Sequence, residues 1–148
     1  MTMHRRPLGR GRTLAAIAGV LLVVACVLPW WMVGGGETGI TAESGNGFEG
    51  AGIVIFLVGI IVLALVALPY AAGDRPLGVD RWVSFLILTL AGWIGLAISV
   101  IQLMTAGAFS FAQPAQVFTN GPGLWLAGIG LVVLSRATYD MAREPSRR

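Results

Sequence analysis

The sequence predicts an all-α, polytopic membrane protein with four transmembrane helices, arranged as two hairpins with both termini in the cytoplasm. Three observations predict this fold class. Hydrophobic residues make up 56% of the 148-residue chain and charged residues only 11%, whereas a soluble domain has about 25% charged residues. The mean hydropathy is +0.81. Finally, long uncharged stretches alternate with short charged ones, and every basic residue falls on one side when those stretches are taken as membrane spans.

The first two spans are indicated by stretches without charge. A spanning helix needs about 20 mainly apolar residues. Residues 13–36 carry no charge, and their apolar part predicts a first span over 13–33. The aliphatic run AGIVIFLVGIIVLALVALPY predicts the second span over 51–70.

The next two spans share one uncharged stretch, residues 82–135, which is too long for a single helix. We expect a third span over 82–104 and a fourth over 117–134. Between them, Pro114, Pro122 and an Asn-Gly pair are signals of a loop.

The arginines predict the orientation, because Arg and Lys collect on the cytoplasmic side of membrane spans. The first and second predicted outer loops, at 34–50 and 105–122, contain no basic residue. The membrane domain is therefore expected to cover 13–135, with cytoplasmic tails at 1–12 and 136–148. All ten basic residues lie in the tails or between spans two and three: Arg5, Arg6, Arg10, Arg12, Arg75, Arg81, Arg136, Arg143, Arg147 and Arg148.

The use of Arg without Lys, together with abundant Ala, Gly and Val, indicates a GC-rich bacterial genome. The expected location is therefore the inner (plasma) membrane of a bacterium. The topology also accounts for the net charge of +3. No basic patch interleaved with aromatic residues indicates nucleic-acid binding, so the expected partners are the lipid bilayer and either another membrane protein or a second copy of the chain.

The sequence lacks the residues that several classes of membrane protein need for transport or catalysis. No predicted span contains an ionisable side chain of the kind that ion-coupled transporters and proton relays use. The single cysteine excludes an intramolecular disulfide and a multi-cysteine metal site, and His4 is the only histidine. We therefore predict no enzyme activity, no catalytic or metal-binding residues and no cofactor. Two alternatives stay open: lipidation of Cys26 in the lipobox-like VVAC, and cation binding or catalysis by the loop carboxylates Glu37, Glu43 and Glu49.

Two sets of residues are candidates for contacts. Pro29, Trp30 and Trp31 end the first predicted span, where tryptophan favours the membrane interface, and the two tryptophans form a candidate docking surface on the outer side. On the third span, small residues recur every four positions, which lets helix backbones approach closely. These candidate helix-packing residues are Ala91, Gly95 and Ser99.

Three short motifs carry a resemblance: LPWW at 28–31, NGFEG at 46–50 and NGPGLWL at 120–126. The combination resembles uncharacterised small four-helix membrane proteins of actinobacteria and Chloroflexi, which have a Leu-Pro-Trp end to the first helix. The resemblance covers most of 13–135 and implies an integral membrane protein without assigned chemistry. From the residues themselves we expect a non-enzymatic accessory or scaffold subunit of an envelope assembly. The alternative is a homo-oligomeric channel or carrier for a neutral or lipid-like substrate.

Overall fold

The structure, a computed structural model, describes residues 9–33, 41, 43–71, 82–107 and 119–143. Within them the chain is mostly helical, with one two-stranded sheet. The predicted loop around Pro114, the arginines Arg75 and Arg81, residue Glu37, and residues 1–8 and 144–148 of the predicted tails lie outside the described residues. The elements, in chain order, are α1 (Arg10–Val27), β1 (Pro29–Val33), β2 (Glu43–Asn46), α2 (Gly52–Ala71), α3 (Trp82–Thr105) and α4 (Pro122–Arg143).

Three of these helices, α1, α2 and α3, are long and apolar enough to cross a membrane, as in a multi-pass membrane protein. The bounds of α2 and α3 agree with the predicted spans 51–70 and 82–104 to within one residue. Helix α4 differs from the predicted span 117–134. It starts at Pro122 and continues beyond the apolar part to Arg143, so part of the predicted tail is helical.

The first predicted span, 13–33, is wrong at its C-terminal end, because α1 stops at Val27. The residue before a proline is disfavoured in the helical region, and Leu28 is extended, with φ −75° and ψ 154°. The chain from Pro29 then forms β1, which pairs antiparallel with β2. The chain is mostly helical, as the all-α class predicts, and a small β-hairpin that the sequence did not predict closes one end of the helices.

The four helices form a ring in which α1 packs most extensively against α4 and also against α2, and α3 closes the ring between α2 and α4. Small residues allow the close approach of α1 and α2. A Cβ added to Gly19 would lie 3.2 Å from the carbonyl oxygen of Gly59, and one added to Gly59 would lie 3.1 Å from that of Gly19. Such close backbone approach increases dispersion contact between membrane helices.

The two ends of the bundle differ in charge. At the arginine end, where α1 begins and α4 ends, Asp140 lies between Arg136, at 3.1 Å, and Arg10, at 3.9 Å. Arg143 also lies over the ring of Tyr139, 4.3 Å from its centroid. We call the opposite end, which holds β1, β2 and the C-terminal turn of α3, the hairpin end. The carboxylates of its described residues are those of Glu43 and Glu49.

Candidate functional site

The three sequence motifs meet at the hairpin end, around Trp30. Its side chain is only 2% exposed, and its indole N–H donates a hydrogen bond of 2.8 Å to the carbonyl oxygen of Ala25. That oxygen belongs to the last turn of α1, where carbonyls have no partner within the helix. Trp30 therefore closes the end of α1 instead of facing outward.

Two glycines make room for the Trp30 ring. A Cβ added to Gly47, in the NGFEG motif, would lie 2.8 Å from Cε2 of Trp30 and 2.8 Å from Cα of Cys26. A Cβ added to Gly123, in the NGPGLWL motif, would lie 2.6 Å from Cδ1 of Trp30. The indole thus joins the hairpin turn to the first turn of α4.

The candidate docking surface of Trp30 and Trp31 changes accordingly. Trp30 is a core residue and presents no surface to a partner, whereas Trp31 is half-buried. The pairing of β1 with β2 is irregular between Pro29 and Trp31, so Trp30 is an extra residue without a partner across the hairpin, as in a β-bulge. A docking role stays a prediction, and of the two tryptophans only Trp31 is placed to serve it.

The turn after β2 ties the hairpin to α2 and α3. Asn46 accepts a hydrogen bond from the backbone N–H of Phe48 at 3.0 Å, and Gly50 has φ +69°, a conformation that favours glycine. The side-chain carbonyl of Gln102, on α3, accepts a bond of 3.3 Å from the backbone N–H of Ala51 at the start of α2. Gln102 therefore satisfies an otherwise unpaired helix N–H and fixes α3 against the hairpin.

A cavity of about 210 Å³ lies between the hairpin and the C-terminal part of α3. We call it the hairpin-end cavity. Its wall combines aromatic and aliphatic groups with two amides, a hydroxyl and a carboxylate. The lining residues are Trp30, Trp31, Asn46, Glu49, Gly50, Ser99, Gln102, Leu103 and Ala106.

No protein family, curated protein or solved structure was found that matches this chain. The resemblance to small actinobacterial and Chloroflexi membrane proteins therefore stays a prediction. What the chain does has to be argued from its own geometry.

The candidate helix-packing residues on α3 face α2. A Cβ added to Gly95 would lie 3.1 Å from Cβ of Val54, on α2. Ser99 is buried and donates to the carbonyl oxygen of Gly95 at 2.9 Å, and Ala91 packs against the core. Gly95 and Ser99 therefore lie inside the bundle, and Ala91 is half-buried at its edge.

Side-chain hydrogen bonds join α3 and α4, and the sequence did not predict them. The indole N–H of Trp93 donates to the hydroxyl of Ser135 at 3.1 Å. The hydroxyls of Thr89 and Thr138 lie 3.1 Å apart. Their pairing depends on the relative rotation of two helices, which a single sequence does not reveal. The sequence shows only that each of the two helices carries hydroxyl side chains among apolar ones, which does not identify the pairs.

The remaining reactive groups are placed as follows. Cys26 is fully buried, with its sulfur 3.8 Å from the carbonyl oxygen of Gly52. Among the described residues, no group of three or more His, Cys, Asp or Glu side chains could hold a metal ion. Glu43 and Glu49 are both exposed, and Glu49 alone lines the cavity.

Proposed function

We propose that this chain is a non-enzymatic, four-span protein of the bacterial inner membrane that acts through contacts, as an accessory or scaffold subunit of an envelope assembly. The observation that carries the proposal is the apolar edge of the hairpin. Met32, Val33 and Phe48 are 38%, 48% and 42% exposed on elements that lie beyond the end of α1. An apolar surface at this position is suited to the apolar surface of another membrane protein.

The distribution of polar groups supports a role in contacts. Hydroxyls on α3 and α4 are engaged in bonds within the bundle: Thr89 pairs with Thr138 and Ser135 accepts from Trp93 across the two helices, whereas Ser99 bonds to its own helix. Most of these side chains thus join one helix to another. The hairpin is the part of the described chain that departs from this helical ring and extends an apolar edge.

The orientation proposed for the protein places the arginine end in the cytoplasm and the hairpin outside. The ion pair of Arg10 with Asp140 brings the basic ends of α1 and α4 together, which supports one common basic side. With Cys26 replaced by serine, Ser44→Cys is expected to react with a membrane-impermeant maleimide in intact spheroplasts. Ser146→Cys is expected to react only after lysis. The reverse pattern would contradict the orientation.

The contact function is tested by photo-crosslinking from the hairpin in the native host. A benzophenone amino acid at Val33 is expected to give one predominant, stoichiometric adduct with another membrane protein, identified by mass spectrometry. The same probe at Ile87, which is 61% exposed on the second turn of α3, is the matched control and is expected to give no such adduct. Val33→Glu is expected to release the partner while the helical circular dichroism is unchanged. A monodisperse monomer without partners in mild detergent would contradict the proposal.

A second candidate function is a homo-oligomeric channel or carrier for a neutral or lipid-like substrate. The hairpin-end cavity favours it, since the cavity borders the surface of α3. Reconstituted protein would then give flux of small neutral solutes or of a labelled lipid across liposomes. Absence of flux for both classes would remove this candidate.

A further inference from the structure

The wall of the hairpin-end cavity places a carboxylate beside an indole. A Cβ added to Gly45, which pairs with Trp31 across the hairpin, would clash with Oε2 of Glu49 and with Nε1 of Trp31. Both side chains therefore lie over the open backbone of Gly45. This juxtaposition exists because residue 45 has no side chain.

Several polar groups around this cavity have hydrogen-bonding capacity left over. In the described part of the chain, the carboxylate of Glu49 has neither an ion pair nor a hydrogen bond, and the same holds for the indole N–H of Trp31. The side-chain carbonyls of Asn46 and Gln102 accept bonds from backbone N–H groups, and their amide NH₂ groups donate no hydrogen bond within the described residues. The cavity thus offers one full negative charge and several neutral polar groups.

The electrostatics of the bundle favour a cation in this cavity. The described arginines, Arg10, Arg12, Arg136 and Arg143, lie on the first turn of α1 and the last two turns of α4, at the arginine end. Glu43 and Glu49 lie at the hairpin end. A cation there meets a carboxylate without a competing arginine among the described residues, and the wall also holds the indole of Trp31, a ring of the kind that attracts cations.

The size of the cavity limits the occupant. Pockets that enclose a drug-sized molecule have roughly 300–1,000 Å³, so a cavity of about 210 Å³ fits a headgroup and not a whole amphiphile. On α3, Ile98 and Ile94 lie four and eight residues before the cavity residue Gln102, on one row of the helix surface. They are 44% and 61% exposed and offer a path for an alkyl chain.

We propose that the hairpin-end cavity binds the ammonium group of a cationic amphiphile. The ammonium lies against the carboxylate of Glu49 and the indole of Trp31, and the alkyl chain runs along the exposed side of α3. This site does not depend on a partner protein, so its test is independent of the test of the scaffold role. It gives a role to Glu49 and Gly45, two residues that the packing of Trp30 does not require.

The test is a titration of the purified protein in dodecyl maltoside micelles, whose headgroup carries no charge. Dodecyltrimethylammonium is expected to raise the thermal unfolding midpoint in a saturable way, because a ligand of the folded state stabilises it by mass action. Dodecyl sulfate, with the same chain and the opposite charge, is expected to give no saturable rise. Choline, which has the ammonium group without the chain, is expected to bind at least about tenfold more weakly, since it forgoes burial of apolar surface.

Two variants locate the site. Glu49→Gln is expected to weaken the binding of dodecyltrimethylammonium about tenfold, as removal of a close charge pair does near a protein surface. Glu43→Gln is the matched control, on the same hairpin but outside the cavity, and is expected to leave the affinity unchanged within about twofold. Gly45→Ala should also weaken binding, because its Cβ displaces both side chains. Equal effects of the two glutamate variants, no saturable binding, or binding of choline as tight as that of the amphiphile would each overturn the proposal.

Discussion

Replacement of Trp30 by alanine is expected to lower the free energy of unfolding by about 3–5 kcal/mol, the range measured for truncation of large buried aromatic side chains. The indole is almost completely buried between Gly47 and Gly123. Neither glycine has a side chain that could fill the space. The variant also leaves the carbonyl oxygen of Ala25 without its donor, which adds to the loss.

Equilibrium unfolding in mixed micelles, followed by far-ultraviolet circular dichroism, measures this effect. Trp82→Ala is the control: Trp82 is 46% exposed at the start of α3, and we expect it to cost less than about 1 kcal/mol, as at surface positions generally. Trp30→Phe keeps an aromatic ring and removes the donor, and so separates the hydrogen bond from the packing. A loss for Trp30→Ala no larger than for Trp82→Ala would show that the indole does not close the bundle.

How far the sequence predicts this fold depends on the kind of information each element needs. The spans at 51–70 and 82–104 follow from apolar length alone, and the structure has helices there. The hairpin is hard to predict because neither of its strands has a strand-like sequence. PWWMV is apolar enough to continue a helix, and ESGN is a poor strand former by composition. Its register comes from tertiary contacts, such as those of Trp30 and Gly47.

Helix α4 is longer than its apolar stretch, whereas α1 ends before its apolar stretch does. The apolar pattern ends near Leu134, but the backbone remains helical because charged residues can continue a helix at its exposed end. There, Arg136 and Asp140, four residues apart, form an ion pair on the helix surface. Membrane hydropathy finds the apolar part of a helix and does not find its end.

The places of the two hairpin tryptophans lie beyond the sequence for a related reason. The preference of tryptophan for interfaces predicts one environment for both Trp30 and Trp31. The folded hairpin separates them, because Trp30, at the irregular position of β1, is buried in the core while Trp31 is half-buried. The sequence places Glu49 in an acidic loop, but its position beside Trp31 depends on the fold of the turn around Gly45 and Gly50.

The second large effect is expected at Gly123. In Gly123→Ala the new Cβ would lie 2.6 Å from the carbonyl oxygen of Ala25 and 2.8 Å from that of Leu28. These are backbone atoms at the end of α1 and cannot rotate away. Overpacking of this kind costs about 1–3 kcal/mol. Gly128→Ala, on the same helix, meets no atom within 4 Å and is expected to be neutral or stabilising by up to about 1 kcal/mol, since alanine favours helix more than glycine does.

The difference between these two alanine variants isolates the contact between α4 and the end of α1, because the change in helix propensity is common to both. The double variant Trp30→Ala/Gly123→Ala then tests whether the indole and the glycine act as one unit. If Trp30 holds the end of α1 against Gly123, its removal leaves space for the new Cβ, and the combined loss is smaller than the sum of the single losses. Additive losses, measured in the same mixed micelles, would mean that Gly123 is required by α1 alone and that the two motifs stabilise the bundle independently.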